Sequence, residues 1–278
     1  MDKIEQKAET MKTKAKALLE SIETGDKSAV SYINANKYIQ HNLMVGDGLA
    51  GFGEVLQALP GGSAKVNVKR IFNDGDYIFS HTEYDFFGPK VGFDIFRFEN
   101  GLIVEHWDNL QVLVSKTLSG RSQMDGSVEL NDLDKTENNK ALVRLFVNDI
   151  LIAGNVNKIK NYISESTYAQ HNPNVEDGLD GIDKALAAMA EAGMPMTYTN
   201  NHLILGEGNF VLAVSEGVFL GKHSSFYDLF RLQDNKIVEH WDAIEEIPSR
   251  ADWKNANGKF GFPQSFCNIN ISENCITA

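Results

Sequence analysis

An α+β fold occurring twice along the chain is the architecture the sequence predicts, and three observations predict it. Each half opens with helical periodicity and closes with a run of alternating strands, and short motifs recur across the halves in the same order. Tyr38-Ile-Gln-His-Asn42 matches Tyr168-Ala-Gln-His-Asn172, and Asp47-Gly-Leu-x-Gly51 matches Asp177-Gly-Leu-x-Gly181, both at an offset of 130 residues. Asp94-Ile-Phe-Arg97 matches Asp228-Leu-Phe-Arg231, and Ile103-Val-Glu-His-Trp-Asp108 is identical to Ile237–Asp242, now at an offset of 134. The third observation is a polar, acidic stretch between the halves, which divides the chain into a first domain (1–114), a linker (115–139), a second domain (140–248) and a tail (249–278).

The first helix of each half is read from apolar spacing. Leu18, Leu19 and Ile22 lead to Gly25, and Val143, Phe146, Val147, Ile150 and Leu151 lead to Gly154, where a left-handed cap is cheap. A short helix through Val30 and Ile33, or Ile159 and Ile163, follows. A third runs over Leu49–Leu59 or Leu179–Met189 and stops at Pro60-Gly-Gly or Gly193-Met-Pro. Lys65–Asn73, Tyr77–Phe87, Phe93–Phe98 and Leu102–Val114 then read as strands joined by turns at Asn73-Asp-Gly and Glu99-Asn-Gly. Helices first and a strand meander afterwards exclude a βαβ array and favour helices packed on one face of a curved antiparallel sheet. The tail carries Trp253, Phe260, Phe262 and Phe266, enough apolar surface to dock.

Composition narrows the partners. With a net charge of -12, a pI near 5.0 and no long basic run, the chain lacks a nucleic-acid footprint and would be repelled by an anionic membrane surface. Its two cysteines, Cys267 and Cys275, fall in the tail, so no disulfide framework holds the domains. The charged start and the lack of a long apolar stretch point to a soluble cytoplasmic protein, or a periplasmic one had a leader been removed.

The late hairpin carries the chemistry. A three-residue loop with Gly101 in a left-handed bulge position would pair Phe98 with Leu102 and Asp94 with His106. Alternation then puts Asp94, Phe96, Phe98, Leu102, Val104, His106 and Asp108 on one face, opposite Ile95, Arg97, Glu105 and Trp107. A carboxylate beside an imidazole in apolar surroundings fixes the ring and shifts both pKa values, which is what a general base needs. The equivalent set in the second half is Asp228, His240 and Asp242, with Phe230 beside it. His41, His81 and Glu83 join the first set as candidate substrate contacts, and His171 and Glu216 join the second. Because Val214 stands where the first half has His81, the first half is the richer candidate. Neither a helical His-Glu-x-x-His motif nor a cysteine pair supports a metal there, and none is expected.

These motifs together resemble SnoaL-like polyketide cyclases of the nuclear-transport-factor-two-like superfamily, over roughly residues 15–114 and 140–247. The resemblance implies a cone-shaped domain in each half, with a bent sheet wrapped around helices and an apolar cavity between them. It also implies cofactor-free proton abstraction next to a carbonyl, as in aldol condensation, cyclisation or isomerisation. Asp94, His106 and Asp108, and Asp228, His240 and Asp242, would then be catalytic, acting on a hydrophobic carbonyl-containing small molecule. Superfamily members also include non-catalytic binding proteins, so a module that sequesters a hydrophobic ligand is the alternative. Such domains commonly pair sheet to sheet. An intramolecular pseudo-dimer burying Trp107 against Trp241, with further homo-oligomerisation open, is the expected assembly.

Overall fold

The structure is a computed structural model that describes residues 3–59 and 63–263. The Pro60-Gly-Gly helix stop, Phe266 and both cysteines lie outside the described residues. Helix α1 (Lys3–Thr24) ends at Gly25, whose φ of 70° is the left-handed cap expected there. After a short 3-10 turn at Lys27–Tyr32 come β1 (Ile39–Gln40), α2 (Gly48–Ala58), β2 (Lys65–Asp74), β3 (Tyr77–Asp85), β4 (Pro89–Glu99) and β5 (Leu102–Val112). The second half follows the same order: α3 (Thr136–Phe146), β6 (Ala169–Gln170), α4 (Gly178–Glu191), β7 (Thr197–Glu207), β8 (Phe210–Phe219), β9 (Lys222–Gln233) and β10 (Lys236–Glu246).

Each half forms a five-stranded sheet of one topology, β1-β5-β4-β3-β2 and β6-β10-β9-β8-β7. The long strands are antiparallel, and β1 and β6 run parallel to β5 and β10. One face of each sheet takes the helices. Leu18, Leu19, Phe96, Phe98 and Ile103 share one core; Val143, Phe146, Ile150, Phe230 and Ile237 share the other. The opposite faces meet each other in a third core that holds Phe72, Phe93, Ile95 and Trp107 with Phe210, Leu212, Tyr227 and Trp241. Both tryptophans are fully buried there. Each stacks on a histidine of its own half, Trp107 on His41 at 4.6 Å and Trp241 on His171 at 4.7 Å. At about 1.5–3 kcal/mol per buried large apolar side chain, this shared core is a major part of the fold's stability.

Polar ties across the halves are reciprocal. Lys12 on α1 reaches Glu207 at 2.8 Å, and Lys140 on α3 reaches Asp74 at 2.7 Å. Asn73 N donates to Glu207, and Gly206 N donates to Asp74. The stretches after the sheets also cross over. Residues from Thr117 lie on the second half, where Leu118 N donates to Pro173 O and Ser119 to Gln170 O. Residues from Trp253 lie on the first half, where Lys254 N donates to Leu43 O and Asn257 to Gln40 O. The interdomain segment is therefore no free spacer; Thr117, Gln123 and Met124 are buried, and helix α3 begins at Thr136, inside the span expected to be linker.

Candidate functional site

The late hairpin turns through two residues, not three. Glu99 pairs with Leu102 around Asn100 and Gly101, whose φ values are 50° and 77°. A bulge then adds Val104, so that Phe98 faces Ile103, Arg97 faces Glu105, Phe96 faces His106 and Asp94 faces Asp108. The expected pairing of Asp94 directly with His106 and the place of Leu102 and Val104 in the face are thereby corrected. The two-residue turn alone would have put His106 with Arg97; the extra residue reverses parity again and leaves Asp94, Phe96, His106 and Asp108 together. The second half repeats this with Asp234-Asn235 as the turn and Val238 as the bulge.

In each half the imidazole bridges two partners. His106 Nε2 lies 3.1 Å from Asp94 Oδ1 and its Nδ1 lies 3.1 Å from Gln40 Oε1; His240 makes the same contacts to Asp228 (3.0 Å) and Gln170 (2.9 Å). Gln170 Oε1 also accepts the backbone N–H groups of His171 and Asn172, and Gln40 Oε1 accepts that of Asn42. The amide oxygen is thus fixed toward the ring, so Nδ1 of each histidine carries a proton. Nε2 and the facing carboxylate oxygen share a further proton, because two lone pairs do not approach to 3.0 Å without one.

The second aspartate is half satisfied. Asn42 Nδ2 donates to Asp108 Oδ2 at 2.7 Å and Asn172 Nδ2 donates to Asp242 Oδ2 at 2.5 Å. Oδ1 of each is buried without a hydrogen-bond partner among the described residues. Burial, reinforced by the charge of Asp228 and only partly offset by His240, pushes Asp242 up to about 6. Burial opposes a charge on His240, but its hydrogen bond to Asp228 and the charges of Asp242 and Asp228 outweigh it and raise its pKa. Asp94, His106 and Asp108, like Asp228, His240 and Asp242, offer ligand atoms within 4.8 Å of one another, so a cation could fit either set only by replacing the shared proton.

A cavity of about 560 Å³ opens over this set in the second half. Phe146, Ile150, Leu186, Met189 and Phe230 form much of its wall, and Asp228, His240, Asp242, Gln170, Asn172 and Tyr198 supply polar atoms. The sequence favoured the first half on the strength of His81, which the structure places on the other side of its sheet from Asp94 and His106. His81 pairs with Phe93 on the sheet-to-sheet face, where Arg70 donates to its Nδ1 and its pKa is held well below 6.5 by burial and then by the Arg70 charge. Glu83 shares that parity and accepts from Asn67. Glu216 lies on the corresponding face of the second sheet between His202 and His223.

His41 and His171 also point away from the pocket. His41 donates from Nδ1 to Gly258 O and meets Glu105 at 2.9 Å; His171 contacts Ser122 O and Glu239. Because β1 and β6 are extended, Gln and Asn on either side of each histidine face the Asp–His–Asp set and the histidine does not. The tyrosines were missed altogether. Tyr84 on β3 donates to Asp94 at 2.5 Å, whereas Tyr198 on β7 reaches both oxygens of Asp228 at 3.3 Å. Gly217 pairs with Tyr198 where Tyr84 pairs with Val66, so the hydroxyl reaches the same carboxylate from neighbouring strands in the two halves.

No protein-family model matches the chain, and no curated protein does. Among solved structures, the chain is similar to IdmH from Streptomyces antibioticus, a candidate polyketide cyclase, at 19% identity over 36% of this chain and 91% of that one, with a TM-score of 0.32. A candidate ketosteroid isomerase from Kribbella flavida is 16% identical over 44% of this chain and 92% of its own, with a TM-score of 0.34. An NTF-2 like protein from Burkholderia xenovorans is 18% identical over 44% and 97%, with a TM-score of 0.35. Among the described residues, no helix is long and apolar enough to cross a membrane.

Proposed function

We propose that the second half is a cofactor-independent site that removes a proton next to the carbonyl of an apolar small molecule, as in isomerisation, cyclisation or aldol condensation. The observation that carries this reading is Asp242 Oδ1, a buried carboxylate oxygen with no hydrogen-bond partner among the described residues, on the floor of a largely apolar cavity. Asp242 is the base, since its basicity is raised by burial and its second oxygen is steadied by Asn172. The Asp228–His240 pair holds one proton in a fixed direction and can lend it to the developing enolate oxygen, with Tyr198 supporting the carboxylate left behind.

Hydrogen exchange on 2-tetralone in deuterium oxide tests the chemistry directly. The protein should speed loss of the acidic C–H signals, and Asp242→Asn should reduce that acceleration by about 10²–10⁴-fold, the usual range for a general base. Equal rates for both proteins would remove Asp242 from the mechanism.

A non-catalytic binding module has one observation in its favour: Tyr198, Asp228, His240 and Gln170 satisfy one another without a ligand. Saturable binding of 2-tetralone with no exchange above buffer would select that reading.

A further inference from the structure

The cavity of the second half is polar at its floor and mostly apolar at its mouth, where Asn174 and Asp183 are the exposed polar lining residues. Asp228, Gln170, Asp242, Tyr198 and His240 are all 9% exposed or less, whereas Val156 and Leu220, lining the same cavity, are each 49% exposed. Such a gradient suits a ligand that enters with its polar end leading and leaves its apolar end at the opening.

The turn that carries Leu220 is built against local preference. Phe219 pairs with Lys222, leaving Leu220 and Gly221 as a two-residue loop with φ values of 50° and 76°. Asn, Asp or Gly ordinarily holds the first of these positions, because at positive φ the Cβ of other residues crowds the backbone. Asn100 and Asp234 follow that rule in the β4–β5 and β9–β10 turns. The corresponding tip in the first half again breaks it, with Phe87 at φ 52° and 69% exposed. A large apolar side chain is thus kept at the left-handed position of this tip in both halves, against both backbone and solvent. An outlier of this kind points to something the side chain touches.

We propose that Leu220, with Phe219 and Met196, is a specificity-determining rim that grips the trailing hydrocarbon end of an elongated ketone whose carbonyl end enters first and reaches Asp242. The assignment rests on reading the cavity as the ligand site. It also excludes alkanoic acids: a carboxylate entering first would meet Asp228 and Asp242 with no lysine or arginine among the described lining residues, and one left at the mouth would face Asp183 and an apolar rim.

Displacement of the neutral probe N-phenyl-1-naphthylamine by 2-alkanones and alkanoic acids of rising chain length at pH 8 tests it. The wild-type protein should favour ketones over acids at least tenfold and gain affinity with length until the chain fills the mouth. Leu220→Asn should melt at the same temperature or higher, keep its affinity for short ketones and lose roughly fivefold for long ones, the contact of about half a leucine side chain. A variant that binds long ketones as the wild type does, or acids that compete as well as ketones, would overturn the rim. A wild-type protein that takes up no probe would overturn the cavity reading itself.

Discussion

In the proposed mechanism Asp242 sets stability and chemistry against each other. In an unfolded chain an aspartate titrates near 3.9, whereas burial pushes Asp242 up to about 6 in the fold. A folded value above the unfolded one means that the native state favours the protonated acid. Its contribution is therefore complete below about pH 4 and is lost as pH rises through about 6. At pH 8 the ionised group costs up to about 3 kcal/mol, with the opposing charge of His240 already included. Asp242→Asn keeps the shape and removes the charge, so it should be more stable than the wild type in urea at pH 8, with the difference closing below pH 4. A variant equally stable at both pH values would show that the cavity floor solvates the carboxylate better than its surroundings indicate. By the same titration, exchange of an acidic C–H proton should rise with pH through about 6 as Asp242 becomes available.

At the scale of the elements, parity decides which residues meet, and a single inserted residue decides parity. Deleting Val238 while the Asp234-Asn235 turn stays fixed would exchange His240 and Asp242 with Glu239 and Trp241 across the sheet. That would drive an acid and an imidazole into the apolar sheet-to-sheet core, so the deletion should abolish the cooperative transition in near-ultraviolet circular dichroism. Val238→Ala keeps the residue count and should cost no more than about 1–2 kcal/mol. A deletion variant melting like the wild type would mean that the turn absorbs the change. The sequence motifs placed Asp94, His106 and Asp108 on one face, but through a three-residue loop; the bulge that achieves it leaves no mark in composition, because Val104 and Val238 look like ordinary strand residues. The Gln and Asn that flank His41 and His171 were legible as an alternating pattern once β1 and β6 are read as strands, yet strands of only two residues carry too little periodicity to announce themselves. Tyr84 and Tyr198 were beyond reach for a different reason: their shared target is fixed by register between strands distant from the motifs.

Across the whole molecule, the halves are joined by more than their facing sheets, because the segment after β10 brings a buried cation back to the first half. Lys259, 5% exposed, binds Glu245 on β10, and its Nζ stands 3.9 Å from Asp108 Oδ1 on β5. Burial raises the pKa of Glu245, against the pull of the Lys259 charge and with the repulsion of Asp108 behind it. Phe262 completes the attachment by stacking on Trp107 at 4.6 Å. Removing only the ammonium should leave buried Asp108 facing partly buried Glu245, at a cost of up to about 3–5 kcal/mol, the figure for a buried pair broken on one side. Lys259→Met should therefore lower the urea midpoint at pH 7.5, and adding Glu245→Gln should restore most of the loss by removing the stranded charge. If the double variant is no more stable than Lys259→Met alone, the lysine acts through packing of its stem and the returning segment is held by Phe262 and its backbone bonds instead.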